Sequence, residues 1–92
     1  MNPSVVHQLT GHATIYDVKR LRSEMIDLMD KKTGITLDCS EIVRCDTAFL
    51  QLVLSLAQAC KKQNIFFSII PGAAVTEAGR RAGMDFSDIL QI

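Results

Sequence analysis

The hydrophobic and polar positions of this chain change period several times, and each change predicts a new element. Apolar, partly β-branched runs at 5–9, 35–38 and 65–70 have the length of β-strands. Apolar residues at 15, 18, 21, 25, 28 and 29 follow the three-and-four spacing of one helix face. Further helical patterns run from 47 to about 63 and from 73 to 82. The predicted order is therefore strand-helix-strand-helix-strand-helix, followed by an apolar segment at 86–92.

This alternation predicts an α/β fold, with a mixed, mostly parallel sheet of about four strands and helices packed against it. Residues 1–92 are expected to form one domain, because this length suits one core and is too short for two. Parallel strands need a long crossover, and each predicted helix can supply one. The strand at 35–38 is expected to be central because helical segments flank it on both sides. The segment 86–92 is predicted to be a short helix or an edge strand.

Capping residues indicate where the predicted helices begin and end. Thr14 is a predicted N-cap of the first helix, because Asp17 follows three residues later in an arrangement close to a capping box. Asp46 is the predicted N-cap of the second helix, since its carboxylate can accept backbone N–H bonds that the first turn leaves unsatisfied. Asn64 and Gly83 are expected to end the second and third helices. Residues 39–45 are expected to form a short polar crossing.

The second helix presents a distinct outward stripe. Thr47 follows Asp46 at the first helical position, where the helix dipole and unpaired amides favour an anionic group. At 100° per residue, Gln51, Leu54 and Gln58 fall on the same side as Thr47. Leu54 is the apolar member of this stripe, and it is a predicted contact for a partner protein. From the residues alone, two hypotheses stay open: Thr47 simply begins a helix, or it carries a regulatory phosphate.

Composition and charge narrow the possible functions. The formal net charge is zero and no basic block stands out, which argues against nucleic-acid binding. The sequence shows neither a signal-peptide pattern nor a membrane-length apolar run, so we expect a cytoplasmic protein without direct membrane insertion. Three cysteines, Cys39, Cys45 and Cys60, lack CxxC spacing. They are interpreted as free thiols of a cytosolic protein.

Catalytic motifs are nearly absent, which predicts a protein without enzymatic activity. We find no Walker loop and no GxGxxG, GxSxG or HExxH sequence. The histidines and cysteines lack the paired spacing of a zinc site. Asp38, Glu41 and Asp46 could suggest an acidic metal pocket like that of receiver domains. The chain is short for that fold and lacks the expected Lys after the third strand, so neither a metal nor a cofactor is predicted.

Leu37-Asp38-Cys39-Ser40 lies at the end of the second predicted strand, and Asp46-Thr47-Ala48-Phe49-Leu50 begins the second predicted helix. These two short segments resemble the STAS domain family of bacterial anti-sigma-factor antagonists. The family pattern is a strand reading Leu-Asp-hydrophobic-Ser, then Asp-Ser/Thr-x-Gly-Leu at the start of a helix. Leu37-Asp38-Cys39-Ser40 is similar to the first half, and Asp46-Thr47-Ala48-Phe49-Leu50 to the second. Leu9-Thr10-Gly11 looks like the family's strand ending, and Ala82-Gly83-Met84 like the segment after its last helix. The resemblance covers nearly the whole chain in matching order.

The resemblance implies a partner-switching signalling protein with Thr47 as the phosphoacceptor and Asp46 as the cap beside it. The implied partner is a serine/threonine kinase or anti-sigma-like protein that binds the unmodified chain and phosphorylates it. A PP2C-type phosphatase would reverse the modification. The residues assigned to partner binding are Ser40, Gln51, Leu54 and Gln58.

Other members of the family suggest an alternative. Short STAS proteins occur beside signalling genes, and one is a subunit of a phospholipid-transport ABC complex in which the Thr contacts the ATPase. The alternative function is therefore a STAS subunit that regulates an ABC-transporter ATPase. A third hypothesis is a small-ligand module that binds a nucleotide or acyl group beside the second helix. Phe49 replaces the family's usual Gly, so we expect bulk near Thr47, and the region before Val5 is too short for the usual extra strand.

Overall fold

Three parallel strands alternate with three helices in the computed structural model, which describes residues 4–83. The strands are β1 (Ser4–Ala13), β2 (Gly34–Cys45) and β3 (Phe67–Ile70), and the helices are α1 (Val18–Asp30), α2 (Thr47–Lys62) and α3 (Gly72–Ala82). The sheet order is β1-β2-β3, and both neighbouring pairs are parallel. The predicted α/β fold and its central strand are confirmed. The described residues contribute three strands rather than about four, and the predicted segment 86–92 lies outside them.

The core lies between the sheet and the two crossover helices. Because strand order follows chain order, right-handed crossovers place α1 and α2 on the same face of the sheet. Ile35, Leu37 and Phe67 are fully buried there beneath the apolar faces of both helices. Side chains of the opposite sheet face are exposed or half-buried, and Thr36 shares a 2.9 Å hydrogen bond with Ser68. No helix within residues 4–83 is both long and apolar enough to span a membrane.

The prediction of a short polar crossing at 39–45 is wrong, because this stretch is the second half of β2 and pairs with the end of β1. The pairing is irregular at two places in β1, between Gln8 and Thr10 and between Gly11 and His12. At both places β2 holds one residue more than β1, which is the pattern of a β-bulge. Each bulge breaks the alternation of buried and exposed side chains. The strand therefore does not show the two-residue period that sequence patterns detect.

The first helix begins later than predicted, at Val18 rather than near Thr14. The Asp17 carboxylate accepts hydrogen bonds from both the amide and the hydroxyl of Thr14, each at 3.0 Å. The Asp17 amide in turn donates to the Thr14 carbonyl at 2.8 Å. These bonds close a turn instead of a capping box, so the predicted cap is wrong. Ile15 consequently lies in the β1–α1 loop, 60% exposed, and not on the apolar face of α1.

The ends of the other helices follow the sequence signals more closely. Asp46 is the N-cap of α2, and its side chain accepts from the Phe49 amide. Asn64 follows α2 with φ of 58°, and Gly83 ends α3 with φ of 72°, both in the left-handed region. These three caps are confirmed. A cap depends on the side chain and backbone conformation of one or two residues. The residue type at these positions therefore predicts it.

The third helix lies against β2 where β3 no longer covers it. β3 pairs with β2 only up to Asp38, and α3 packs against the strand beyond that point. Gly72 has φ of 70°, and a Cβ atom built on it would lie 2.7 Å from the Ser40 Cα and 2.8 Å from the Cys39 carbonyl oxygen. Glycine at this position therefore permits the backbone approach that sets where α3 begins.

Replacing this glycine should test whether the close approach matters beyond backbone strain. Gly11→Ala is the matched control, because Gly11 has φ of 76° but no atom lies within 4 Å of its added Cβ. Left-handed strain alone should cost Gly11→Ala roughly 1–2 kcal/mol. Gly72→Ala should lose about 1–3 kcal/mol more, from overpacking against β2. Urea unfolding measures both variants, and equal losses would contradict the packing account.

Candidate functional site

One carboxylate joins the start of α2 to the β1–α1 loop. The Asp46 Oδ1 accepts a hydrogen bond from the Phe49 amide at 3.3 Å, and its Oδ2 accepts one from the Ile15 amide at 2.8 Å. The Asp46 amide also donates to the Ala13 carbonyl at 3.4 Å. Hydrogen bonds to a charged acceptor are stronger than neutral ones. Asp46 therefore fixes the position of the next residue, Thr47, relative to the ends of both paired strands.

Thr47 is exposed at the first position of α2. The first helical hydrogen bond runs from the Leu50 amide to the Asp46 carbonyl at 3.3 Å, so the amides before Leu50 have no helical acceptor. The bulk expected beside Thr47 is absent, because the Phe49 side chain is fully buried in the core. The Thr47 hydroxyl is thus open to solvent, at the positive end of the helix dipole.

The predicted partner-binding residues fall into two groups. Gln51, Leu54 and Gln58 are exposed on α2 on the same stripe as Thr47, and Leu54 is 37% exposed. Ser40 is also exposed but lies near the start of α3, five residues before the end of β2. At roughly 3.3 Å per residue, that is about 16 Å along the strand. The structure therefore brings the α2 residues together and leaves Ser40 apart from them.

Ser40 takes part in a local turn with the aspartate two residues before it. The Asp38 Oδ1 accepts from the Ser40 hydroxyl at 2.6 Å and from the Ser40 amide at 3.0 Å. These two hydrogen bonds hold the pKa of the Asp38 carboxyl below its usual value. Asp38 and Asp46 lie on either side of the second half of β2. In the stretch 4–83, no three His, Cys, Asp or Glu side chains form a group that could hold a metal ion.

Two exposed apolar side chains beside Asp46 were not anticipated from the sequence. Ile15 and Tyr16 lie in the β1–α1 loop, and Tyr16 is 93% exposed. Ile15 matched the helical period of α1, so the pattern assigned it to the core. The Thr14-to-Asp17 spacing was the available signal, because an aspartate three residues after a threonine can also close a turn. The hydrogen bond from the Ile15 amide to Asp46 places this loop next to Thr47.

An open cleft of about 300 Å³ separates the start of α2 from the end of α3. Its charged lining residues are Asp46 and Arg81. Arg81 stands on the last turn of α3, where its Nε lies 3.7 Å from a carboxylate oxygen of Glu77. Glu77 accepts closer bonds, of 2.6 and 3.1 Å, from Arg80. The remaining lining residues are Cys45, Thr47, Ala78 and Ala82.

The cysteines are free thiols whose surroundings disfavour the thiolate. Burial, with a smaller contribution from the charges of Cys45 and Asp38, raises the pKa of Cys39 to about 12. Burial and the nearby Asp46 charge raise the pKa of Cys45 to about 11, and burial also raises the pKa of Cys60. Reactive cysteines have lowered pKa values, so these thiols do not have the character of nucleophiles.

A comparison with models of known families identifies the domain. A family model described as "Mlab, STAS domain" matches residues 2–91. The chain belongs to the STAS domain family. No match was found among curated protein sequences.

Solved structures support the same fold. A Thermotoga maritima protein assigned as an anti-sigma factor antagonist superposes on this STAS domain with a TM-score of 0.78 at 14% identity, over 95% of this chain and 75% of that one. A sulfate transporter family protein from Wolinella succinogenes gives a TM-score of 0.74 at 13% identity, over 99% of this chain and 76% of that one. At these identities the similarities show the STAS fold and do not transfer a partner.

Removing the Asp46 carboxylate should destabilise this STAS domain and release the β1–α1 loop. Asp46→Ala loses both the helix cap and the bond to the Ile15 amide, and we expect a cost of about 1–2 kcal/mol. Asp38→Ala is the matched control, because Asp38 bonds only to its neighbour Ser40 in the described structure. Urea unfolding should show a smaller loss for the control. An equal loss in both variants would contradict the role assigned to Asp46.

The buried thiol of Cys39 and the half-buried thiol of Cys45 should react slowly in the folded protein. At pH 8 only a small fraction of Cys39 and Cys45 is thiolate, so alkylation by iodoacetamide should be slow and should accelerate as pH rises toward 11. In urea both thiols should react at the rate of an ordinary cysteine. Peptide mapping by mass spectrometry assigns each site. Labelling of folded and unfolded protein at the same rate at pH 8 would contradict the burial account.

Proposed function

We propose that this STAS domain is a non-enzymatic, cytoplasmic signalling protein that resembles an anti-sigma-factor antagonist and is controlled by phosphorylation of Thr47. The observation that carries the proposal is the exposed Thr47 hydroxyl at the start of α2, held in place by Asp46. Its implied partners are a serine/threonine kinase or anti-sigma-like protein and a PP2C-type phosphatase. Because the Phe49 ring is buried in the core, it does not block access to the Thr47 hydroxyl.

The proposed contact surface, called here the docking face, consists of Thr47, Gln51, Leu54 and Gln58. Leu54 supplies an apolar contact within a polar surface. Ile15 and Tyr16 extend the docking face, because Asp46 ties their loop to the start of α2. Aromatic side chains of this kind are enriched among residues that contribute most to protein–protein binding. A partner seated on this surface would cover the Thr47 hydroxyl.

Phosphorylation would change this surface by charge. The kinase transfers the γ-phosphoryl group of ATP to the Thr47 Oγ1, the hydroxyl proton is released, and ADP leaves. The phosphatase adds water, which restores the hydroxyl and releases inorganic phosphate. A phosphothreonine carries nearly two negative charges at neutral pH. Burying that charge against a partner without a matching cation is unfavourable, so the modified chain should dissociate.

The alternative function is a STAS subunit that regulates an ABC-transporter ATPase. The observation that favours it is that the residues of the docking face are all exposed along one side of α2, where an ATPase could contact them directly. In this case Thr47 contacts the ATPase directly, and the complex is constitutive. It predicts a stably co-purifying ATPase and no phosphorylated population of the chain.

A charge at Thr47 should weaken partner binding by at least about tenfold, or 1.4 kcal/mol. We expect this loss in Thr47→Glu, whereas Thr47→Ala should still bind, as measured by pull-down and titration with the protein that co-purifies from the native cell. Thr76→Glu is the matched control, because Thr76 is an exposed threonine on α3 outside the docking face. It should bind like the unmodified protein.

Mass spectrometry of the chain from its native cell separates the two functions. A phosphorylated Thr47 peptide supports the signalling function. An ATPase that co-purifies with a chain unmodified at Thr47 supports the transporter function. Unchanged partner affinity in both Thr47 variants would contradict a switch at this residue.

A further inference from the structure

We propose that Arg81 binds the phosphate of phosphorylated Thr47 within the same chain, so that the modification bridges α2 and α3 across the cleft between them. This inference rests on the proposed function, because it concerns the modified form of Thr47. It adds α3 to the proposed switch and names Arg81 as the residue that binds the phosphate.

Thr47 and Arg81 line the same cleft. Thr47 begins α2, Arg81 stands on the last turn of α3, and both line the cleft of about 300 Å³. The position of α3 is set at its other end, where Gly72 approaches the backbone of β2. α3 spans eleven residues from that contact, or about 16 Å at a rise of 1.5 Å per residue. This length matches the second half of β2, so the end of α3 lies beside Thr47.

Arg81 is available for a new acceptor. Glu77 accepts two hydrogen bonds from Arg80, at 2.6 and 3.1 Å, while the Arg81 Nε lies 3.7 Å away, beyond hydrogen-bond distance. The Arg81 side chain is 69% exposed, so it can rotate into the cleft without breaking the core. A guanidinium presents five N–H donors and binds phosphate oxygens in pairs. The contact with Glu77 is thus the weaker alternative for Arg81.

Arg81 supplies the positive charge that a phosphate on Thr47 would need in this cleft. Asp46 is adjacent to Thr47 and carries a negative charge that opposes a phosphate. Its two oxygens already accept backbone amides, from Ile15 and Phe49, so the carboxylate is held in place and cannot turn away. Arg81 is the only cation that lines the cleft within the described residues. A phosphate on Thr47 therefore meets one fixed anion and one mobile cation.

The test uses the full chain with phosphothreonine incorporated at position 47 during synthesis, so that no kinase is needed. Titration followed by ³¹P NMR gives the second pKa of the phosphate, which is about 6 for an isolated group. A neighbouring guanidinium favours the dianion and lowers this pKa, so Arg81→Gln should raise it by about 0.5 unit or more, a threefold change in proton affinity. Arg81→Lys should restore part of the difference.

Arg22→Gln is the control for net charge, because Arg22 is exposed on α1 and lines a different groove. It should leave the phosphate pKa unchanged. Circular dichroism should show that the Arg81 and Arg22 variants remain folded, as expected for exposed side chains. The same phosphate pKa in Arg81→Gln and in the parent chain, or an equal shift in Arg22→Gln, would overturn the proposal.

The result of the phosphate titration does not depend on partner binding. If Thr47 is never phosphorylated in the native cell, the signalling function fails, yet the titration still reports whether Arg81 contacts a phosphate there. If the titration shows no contact while Thr47→Glu still releases the partner, the switch stands and only the role of Arg81 is rejected.

Discussion

The carboxylate of Asp46 is the interaction on which the site depends. It accepts one amide from the first turn of α2 and another from the β1–α1 loop, so two elements distant in sequence are fixed to one side chain. The cap decides that Thr47 begins the helix and faces solvent. The loop contact decides that Ile15 and Tyr16 lie beside it. A helix N-terminus thereby becomes part of a surface with polar and apolar portions, which a protein partner can recognise.

A second constraint acts at the first residue of α3. The absence of a side chain at Gly72 lets α3 start against the backbone of β2, next to the turn that Ser40 forms with Asp38. The two halves of the family motif thus have different structural roles. The Asp38-Ser40 turn lies where α3 begins, and Asp46 with Thr47 lies where α3 ends. Between them, the bulged half of β2 sets the spacing that creates the cleft and brings Arg81 opposite Thr47.

Local signals predicted much of this fold, and long-range contacts explain what they missed. The α2 period, the Asp46 cap and the left-handed Asn64 depend on neighbouring residues, so residue type indicated them. The β2 bulges insert residues opposite β1, which removes the two-residue period from the sequence. Asp17 bonds back to Thr14, and this choice between a turn and a cap cannot be read from spacing alone. The placement of Thr47 and Arg81 on the same cleft depends on packing, and no sequence pattern encodes it.

We propose that partners bind the α2 surface that begins at Thr47, and not the open face of the sheet. Amide hydrogen exchange of the full chain, with and without the protein that co-purifies with it, distinguishes these two surfaces. We expect slower exchange at the β1–α1 loop and in the first turn of α2 when the partner is bound. Protection confined to the strands near Val6, Thr36 and Ser68, with no change at the start of α2, would contradict it.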